Sequence, residues 1–383
     1  MKKRLLSLCT AVCALVAAAP ISAALAEEQP VSAKSTLLMH ADTGTVILEN
    51  NADARYPIAS MCKIMTLLLT FEGVERGELS MDGDIFVSEH AAGMGGSQAF
   101  LERNDSYKLS DLVKCVTVAS ANDAAVAIAE AVAGSEEGFV ARMNERAEQL
   151  GMINTRFANA TGLPKPMQYS CARDVSMMMR ELLKHKEYYE FSGIWMDTLV
   201  HKGGRETGLT NTNKLIRFYK GCDAGKTGYT SEAKHCIAAS ALRDDTRLIA
   251  VVIGADSSQA RFEGAKKMFE YGFANFETAK VLSERDLADK SVSVRGGKQD
   301  SVKLALGGEY AMFSKRGEKP DAQVEFRIED SVRAPVRQGD VLGKAIVTAN
   351  GKVVFETEIL AAEAVEANGW KDHLKDILED WAA

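Results

Sequence analysis

Past its first 26 residues, the sequence lacks any run of about 18 apolar residues, the length that a helix needs to cross a bilayer. It also lacks an excess of positive charge. The 46 Lys and Arg against 53 Asp and Glu leave a net charge of −7, which argues against nucleic acid as a partner. Neither a Cys-x-x-Cys pair nor a His-rich stretch occurs, so we expect no metal and no cofactor. The 383 residues are 46% hydrophobic and 26% charged, typical of a globular protein of two or three domains.

The first 26 residues differ from the rest of the chain. Lys2, Lys3 and Arg4 precede an apolar run from Leu5 to Ala19, and Ala24-Leu25-Ala26 has the small-x-small pattern of a signal peptidase site. We therefore predict a secretory signal peptide at 1–26, whose removal takes three basic residues and changes the net charge from −7 to −10. The mature protein is expected outside the cytoplasm, at the outer face of the cytoplasmic membrane, in the periplasm or in the cell wall.

Five cysteines remain after this leader, and an odd number cannot be fully paired within one chain. We interpret them as free thiols that act as small apolar residues. They are Cys62, Cys115, Cys171, Cys222 and Cys236.

Strand-like runs lie near both ends of the first 278 residues. Ser35 to Met39 and Thr45 to Leu48 form one predicted hairpin, and Cys236 to Leu242 and Leu248 to Ile253 form another around Asp244-Asp245. Helical periodicity lies between them, at 64–68, 112–133, 139–150 and 174–183, and a last helix is predicted at 261–276. This order predicts an α+β domain at 27–278, in which one antiparallel sheet, made from both ends of the domain, is covered by the intervening helices.

The chain after residue 278 divides into two further predicted parts. Short alternating segments, punctuated by turns that contain glycine, predict a small all-β domain at 279–362. An amphipathic helix is predicted at 363–383, because Trp370, Leu374, Ile377, Leu378 and Trp381 fall on one helix face. Residues 370–381 could contact a membrane surface, or dock on the protein itself or on a partner, and the acidic polar face leaves both hypotheses open.

The first residues with a chemical signature are Ser60 and Lys63, three apart just after Pro57 at the start of an apolar helix. Residues at i and i+3 lie on the same helix face, so the amine can reach the hydroxyl. A serine becomes nucleophilic when a neighbouring base accepts its proton, and a lysine can be that base if burial lowers its pKa. Ser-x-x-Lys also arises by chance, and Ser231 to Lys234 repeats it in front of a predicted strand, so the pair needs support from other motifs.

Two further motifs supply that support. Ser120-Ala121-Asn122 lies between two helical segments and offers a hydroxyl that can relay a proton and an amide that can bind a peptide backbone, although a helix-capping loop has the same composition. Lys226-Thr227-Gly228 lies on a predicted strand, where a cation and a hydroxyl would hold a substrate carboxylate. A glycine-rich stretch, Gly95-Gly96-Ser97-Gln98-Ala99, misses the Gly-x-Ser-x-Gly pattern of serine hydrolases, and we interpret it as a mobile loop.

In this order, the three motifs resemble the active-site triplet of penicillin-binding proteins and serine β-lactamases. The surrounding sequence, from about 35 to 362, is similar to the D-alanyl-D-alanine carboxypeptidases among the low-molecular-mass penicillin-binding proteins, notably at 56–66, 120–127, 162–164, 169–174 and 226–233. The resemblance implies a penicillin-binding-protein or β-lactamase-like α+β domain, with a five-stranded antiparallel sheet covered by helices, followed by a small all-β domain. It also implies a serine-type D-alanyl-D-alanine carboxypeptidase that removes the terminal D-alanine of peptidoglycan stem pentapeptides through an acyl-enzyme and binds β-lactam antibiotics covalently.

Catalytic roles implied by this resemblance fall on three residues. Ser60 would be the nucleophile, Lys63 would be its base, and Ser120 would relay a proton to the leaving amine. The backbone N–H groups of Ser60 and Tyr229 would form the oxyanion hole.

Substrate-binding roles are implied in the same way. The Asn122 amide would hold the peptide. The Lys-Thr-Gly strand, together with Arg261, which lies 35 residues after Lys226, would bind the terminal carboxylate. The residues are Asn122, Lys226, Thr227, Gly228, Tyr229 and Arg261.

Three alternative functions stay open at this point. A D,D-endopeptidase that cuts cross-links would use the same chemistry. A class A β-lactamase needs a glutamate to activate water, and no acidic residue lies between Asn154 and Asp174. A wall-binding or scaffold protein would be expected to lose motif residues, all of which are present. Departures from the family pattern at Cys62 and Thr161 remove no catalytic group, whereas Lys234, where the family commonly has glycine, leaves the substrate preference open.

Overall fold

The computed structural model describes residues 31–318 and 320–369 of the chain. The predicted signal peptide at 1–26 and the predicted membrane or docking segment at 370–381 lie outside these residues, so both stay predictions. The predicted start of the last helix at 363 is wrong, because residues 363–369 are not helical: Val365 and Ala367 form antiparallel bridges with Val336 and Gly297. Within the described ranges, no helix combines the length and the apolar character that a membrane span requires.

Strands dominate both ends of the described chain. They are β1 (Ser35–His40), β2 (Val46–Asn50), β3 (Asp84–Phe86), β4 (Ser106–Lys108), β5 (Met196–Val200), β6 (Glu206–Thr210), β7 (Cys222–Thr230), β8 (Lys234–Arg243), β9 (Thr246–Ala255), β10 (Phe276–Leu282), β11 (Ser291–Arg295), β12 (Ser301–Leu306), β13 (Tyr310–Lys315), β14 (Ala322–Ile328), β15 (Ser331–Arg333), β16 (Val341–Ala349) and β17 (Lys352–Ala361).

Helices occupy most of the region between β2 and β7. The α-helices are α1 (Lys63–Glu75), α2 (Glu89–Ala92), α3 (Leu109–Lys114), α4 (Asn122–Ala133), α5 (Glu136–Gln149), α6 (Ala172–Leu182), α7 (Tyr188–Ser192), α8 (Leu215–Phe218) and α9 (Ser258–Asn275). Two 3-10 turns, Ala59–Cys62 and Glu284–Leu287, and a π-helical turn, Cys115–Ala119, complete the set.

The main sheet is antiparallel and has the strand order β2-β1-β9-β8-β7. The predicted closure of one sheet by both ends of the domain is therefore confirmed. Leu37 and Met39 of β1 belong to the core that the sheet shares with α1, α4 and α6, whereas Leu38 lies against Gly272 of α9 on the opposite face. Because both faces are buried, β8 and β9 read as continuous apolar runs in the sequence.

After α9, the described chain is built of strands and one 3-10 turn. A six-stranded sheet has the order β14-β16-β17-β12-β11-β15, and β10 pairs with β13. Its own apolar core contains Val292, Val302, Val347 and Ile359. The expectation of a small all-β part is confirmed, while the boundary between 278 and 279 stays a prediction.

The five cysteines of the described chain are free and buried, as the odd count suggested. Cys62, which lies between Ser60 and Lys63 in the sequence, donates from its thiol to the Asn159 carbonyl oxygen at 3.2 Å. Burial raises the pKa of the Cys62 thiol to about 12. This cysteine therefore packs as a small apolar residue and does not compete with Ser60 as a nucleophile.

Candidate active site

Ser60 lies in the 3-10 turn Ala59–Cys62, directly before α1, and not inside the helix itself. Ala59 has a φ of +48°, which residues other than glycine seldom adopt and which needs support from the surrounding structure. The turn leaves Ser60 partly exposed, whereas Met61 and Cys62 are buried. Lys63 is the first residue of α1, so the hydroxyl and the amine lie on the same side of this turn.

The Lys63 side chain is completely buried, and its amine has three oxygen neighbours. Nζ lies 2.6 Å from Asn122 Oδ1, 2.7 Å from the Thr161 carbonyl oxygen and 3.1 Å from Ser60 Oγ. The amide oxygen and the peptide carbonyl oxygen can only accept hydrogen bonds. A neutral amine therefore directs both of its N–H groups to these two oxygens, and its lone pair is left facing the Ser60 hydroxyl.

The protonation state of Lys63 follows from the same surroundings. Burial lowers the pKa of the Lys63 ammonium to about 7, and the negative charge of Asp123 opposes this shift only in part. A general base is most effective when its pKa is close to the working pH. At neutral pH, a large fraction of the Lys63 side chains can accept a proton from Ser60.

Ser120 lies at a break between two helical segments. The π-helical turn Cys115–Ala119 ends there, Ser120 has a φ of 62° and a ψ of 30°, and α4 begins two residues later. π-Helical turns and left-handed residues other than glycine are frequent at functional sites. The Ser120 hydroxyl is buried and has no hydrogen-bond partner among the described residues, so it is available to a bound molecule.

Asn122 is the first residue of α4, and both ends of its amide are bound. Oδ1 accepts from Lys63, and Nδ2 donates to the Gly95 carbonyl oxygen at 2.6 Å. The backbone N–H of Asn122 donates to the Ser97 carbonyl oxygen at 2.7 Å. The glycine-rich loop therefore lies against the site, a contact that the sequence analysis did not predict.

The Lys-Thr-Gly motif at 226–228 lies on β7, an edge strand of the main sheet, as predicted. β7 runs beside the Ser60 turn. A Cβ on Gly228 would lie 2.6 Å from the Ile58 carbonyl oxygen and 3.1 Å from the Ser60 nitrogen, so only glycine permits this approach. The first and third motifs therefore meet across a narrow gap.

Two buried cations lie along this strand, and neither is paired with a carboxylate among the described residues. Lys226 is 1% exposed, and Arg261 of α9 donates from Nη1 to the Gly228 carbonyl oxygen at 3.1 Å. Burial lowers the pKa of Lys226 well below its usual range, and the charges of Lys63 and Arg261 lower it further. Burial also lowers the pKa of Arg261 to about 10. Buried positive groups without a counter-ion favour an anion, so this strand suits a carboxylate.

The segment between α5 and α6 closes the site from the other side. Thr161 directs its carbonyl oxygen to Lys63, and Gly162, with a φ of +83°, packs against the Ser60 turn. A Cβ on Gly162 would overlap the Ala59 carbonyl oxygen and lie 2.9 Å from the Ser60 nitrogen. Gly162 is held in place by its N–H, which donates to Asn159 Oδ1 at 2.7 Å.

The three predicted motifs converge on one site, although two predicted residues differ in how they face it. The Tyr229 side chain is 59% exposed, and its ring lies tilted against His235 with ring centroids 4.5 Å apart, so the side chain faces outward. The Arg261 guanidinium is bound to strand carbonyl groups. Across the part of the chain that the structure describes, no group of three or more His, Cys, Asp or Glu side chains could hold a metal ion.

Two family models match successive parts of the chain. The model described as D-alanyl-D-alanine carboxypeptidase matches residues 22–257, more than half of the chain, and includes all three motifs. The model described as penicillin-binding protein 5, C-terminal domain, matches residues 276–367, the all-β part.

Individual relatives and solved structures agree with both models. The D-alanyl-D-alanine carboxypeptidase DacF of Bacillus subtilis is 40% identical over 350 residues, which cover 91% of this chain and 90% of that protein. The D-alanyl-D-alanine carboxypeptidase DacC of Escherichia coli is 31% identical over 364 residues, covering 92% and 89%. A crystal structure of penicillin binding protein 5 from Haemophilus influenzae has a TM-score of 0.66 at 29% identity, covering 88% of this chain and 98% of that one.

Proposed function

The chain belongs to the D-alanyl-D-alanine carboxypeptidase family of serine hydrolases, and from this membership we propose how its own residues carry out the reaction. It is a serine-type D-alanyl-D-alanine carboxypeptidase with the fold of the penicillin-binding proteins. The substrate is the peptidoglycan stem pentapeptide, from which the enzyme removes the terminal D-alanine, and penicillin acylates the same serine. The proposed nucleophile is Ser60.

In the proposed acylation step, the neutral Lys63 amine takes the proton of the Ser60 hydroxyl while Oγ attacks the carbonyl carbon between the two terminal D-alanines. The bond from this carbon to the D-alanine nitrogen then breaks. Ser120 passes the proton from Lys63 to that nitrogen, so D-alanine leaves as a free amino acid. Water then attacks the carbonyl carbon of the ester on Ser60 while Lys63 accepts a proton from it. The bond from this carbon to Ser60 Oγ breaks, Oγ takes the proton back from Lys63, and the shortened peptide is released.

Substrate binding is proposed to begin at the terminal carboxylate, which binds Lys226 and Thr227 beside Arg261. An entering carboxylate supplies the counter-charge that the two buried cations lack, and it therefore favours their protonated forms. The free energy of this pairing is available only to a peptide with a chain-terminal carboxylate close to the scissile bond, which suits a carboxypeptidase.

The scissile carbonyl is proposed to bind between two backbone N–H groups, those of Ser60 and Tyr229. The close approach at Gly228 keeps β7 beside the Ser60 turn, so both donors can reach one developing oxyanion. Asn122 is proposed to hold a carbonyl of the stem peptide through its second amide hydrogen, since its first is donated to Gly95.

The arrangement around Lys63 Nζ is the observation that carries the proposal. Two carbonyl oxygens occupy its N–H groups and Ser60 Oγ lies 3.1 Å away, so the amine is oriented as a base before substrate binds. A lysine that merely formed an ion pair would need a carboxylate at this distance, and Lys63 has none among its hydrogen-bond partners in the described chain.

Fluorescent penicillin tests the nucleophile directly. We expect covalent labelling of the purified wild-type protein and no labelling of Ser60→Ala, because the ester can form only on the Ser60 oxygen. Ser231→Ala is the matched control, since Ser231 belongs to the chance Ser-x-x-Lys pair and should leave labelling unchanged. Label that persists on folded Ser60→Ala, with folding checked by circular dichroism, would contradict the proposal.

Mass spectrometry of reaction products separates the open alternatives. A carboxypeptidase removes a single D-alanine from a pentapeptide, whereas a D,D-endopeptidase splits a cross-linked dimer into two stem peptides. A class A-like β-lactamase would instead release hydrolysed penicillin rapidly. This last function is disfavoured because the segment at 155–173 brings a backbone carbonyl and no carboxylate to Lys63.

We also propose that the enzyme works outside the cytoplasm, where its peptidoglycan substrate lies. The proposal is supported by the predicted signal peptide at 1–26 and by the substrate class of the family. Peripheral membrane contact through 370–381 is a separate proposal, because these residues lie outside the described part of the chain. If a chain ending at Ala362 fractionated with membranes as fully as the whole protein does, the tail would not be the anchor.

A further inference from the structure

A glycine-rich loop at 93–98 contacts the site only through its backbone. Gly95, Gly96 and Ser97 are exposed, yet the carbonyl oxygens of Gly95 and Ser97 accept hydrogen bonds from Asn122 Nδ2 and from the Asn122 backbone N–H. None of the three catalytic motifs contains a residue of this loop. Its contacts nevertheless reach the side chain that binds the proposed base.

The Gly95 carbonyl determines which way the Asn122 amide faces. A carbonyl oxygen can only accept, so the amide nitrogen must face Gly95, and the amide oxygen must then face Lys63. If the amide were reversed, Asn122 Oδ1 would face the Gly95 carbonyl oxygen, and two acceptors would oppose each other. The amide N–H would then point to the Lys63 amine. That N–H would bind the lone pair that otherwise faces Ser60.

We propose that the loop at 93–98 is a positioning element of the reaction, in which the Gly95 carbonyl fixes the orientation of the Asn122 amide and thereby keeps the Lys63 lone pair on Ser60. This inference rests on the proposed roles of Ser60, Lys63 and Asn122. It adds a contact of the loop backbone to a mechanism that otherwise uses only the three motifs.

The segment that directly follows the loop is anchored to α4. The Asp123 carboxylate, which is completely buried, accepts the backbone N–H groups of Ala99 at 3.0 Å and Leu101 at 3.0 Å. Asp123 follows Asn122 in α4, so the end of the loop and the amide that it orients are attached to the same helical turn. A change in the loop should therefore be transmitted to Asn122 and not absorbed by movement of the loop.

Gly96 is the position at which this coupling can be tested. Its φ is +79°, and a Cβ there would lie 2.8 Å from Asn122 Nδ2, the far end of that side chain. Gly96→Ala should consequently push the Asn122 amide off the Gly95 carbonyl with little effect on the rest of the fold. Gly134, at the other end of α4, has a φ of +77° and nothing within 4 Å of such a Cβ, so Gly134→Ala carries the same backbone strain without the contact.

The experiment measures the rate of acylation by fluorescent penicillin for the wild type, Gly96→Ala, Gly134→Ala, Asn122→Ala and the double variant of Gly96 and Asn122. We expect Gly96→Ala to slow acylation about tenfold or more and Gly134→Ala to leave it within about twofold of the wild type. In the Asn122→Ala background, Gly96→Ala should cause no further loss, because the amide that it displaces is absent. A purely structural effect would not disappear in that background.

Two results would overturn the inference. One is a folded Gly96→Ala protein that acylates at the wild-type rate, and the other is a loss that adds in full to that of Asn122→Ala. Melting temperatures of all variants verify that each is folded. A failure of the proposed function itself would look different, because the wild type would then take no label, or Ser60→Ala would keep it.

Discussion

Lys63→Met should slow the acylation of Ser60 by penicillin about a thousandfold or more, measured as the rate of covalent labelling. Methionine fills the volume of a buried lysine stem but has no basic nitrogen, so the Ser60 proton has no acceptor at 3.1 Å. Removal of the base leaves substrate binding at Lys226 and Thr227 in place. The loss should therefore appear in the rate of the chemical step and less in the affinity.

Lys63→Arg should fail to restore this activity although it keeps a positive charge. A guanidinium stays protonated at any pH used for the assay and has no lone pair to offer. Melting temperatures of both variants must show a cooperative transition, which separates loss of the base from loss of the fold. Near-wild-type labelling of either folded variant would be incompatible with Lys63 as the base.

The pH dependence of the wild type provides a second readout of the same role. The neutral amine is the active form and the pKa of Lys63 is lowered to about 7, so protonation below that pH removes the base. The acylation rate should fall about tenfold for each pH unit below 7 and level off above it. A rate that stays flat from about pH 5 to 8 would place the base elsewhere.

Gly162→Ala should reduce acylation by about a hundredfold or more and lower the free energy of unfolding by about 3 kcal/mol. The new methyl group would overlap the Ala59 carbonyl oxygen, and its backbone has a φ of +83°, where alanine is strained. To relieve this overlap, the Ser60 turn or the Thr161 carbonyl must move. Either movement separates Ser60 Oγ from the Lys63 lone pair.

Gly151→Ala is the matched control for this variant. Gly151 has a φ of +74°, but the nearest atom to its Cβ would be Met177 Cε at 3.8 Å, an ordinary contact. It should lose only about 1 kcal/mol through backbone strain and acylate as the wild type does. Chemical denaturation and penicillin labelling measure the two effects, and equal losses in both variants would show that contact with the Ser60 turn is unimportant.

Much of the fold could be predicted because its periodicities are strong. The hairpins at 35–48 and 236–253 and the buried helices between them follow from apolar spacing, and the sheet β2-β1-β9-β8-β7 joins them as expected. The break at Ser120 could not be predicted in detail. The Ser120-Ala121-Asn122 motif was predicted to lie between two helical segments, but residue spacing does not indicate that a π-helical turn ends at Ala119 or that Ser120 has a positive φ.

The site was predictable where it depends on side-chain chemistry. The order of the three motifs along the chain pointed to Ser60, Lys63 and Asn122, and the structure brings Lys63 within hydrogen-bond distance of both Ser60 and Asn122. The carbonyl groups of Thr161 and Gly95 were missed. Nearby glycines were the only available indication of them, at Gly162 and in the loop at 93–98.

The amino-acid sequence alone determined which reactive groups exist, in what order they occur, and that a buried amine near a serine would be available as a base. Only the tertiary structure decided where that amine directs its lone pair. Every residue carries a carbonyl oxygen, so composition and spacing cannot indicate which two of them face Lys63 and Asn122. The path of the chain determines which carbonyl oxygens these are. It brings Thr161 to Lys63 at the start of α1 and Gly95 to Asn122 at the start of α4.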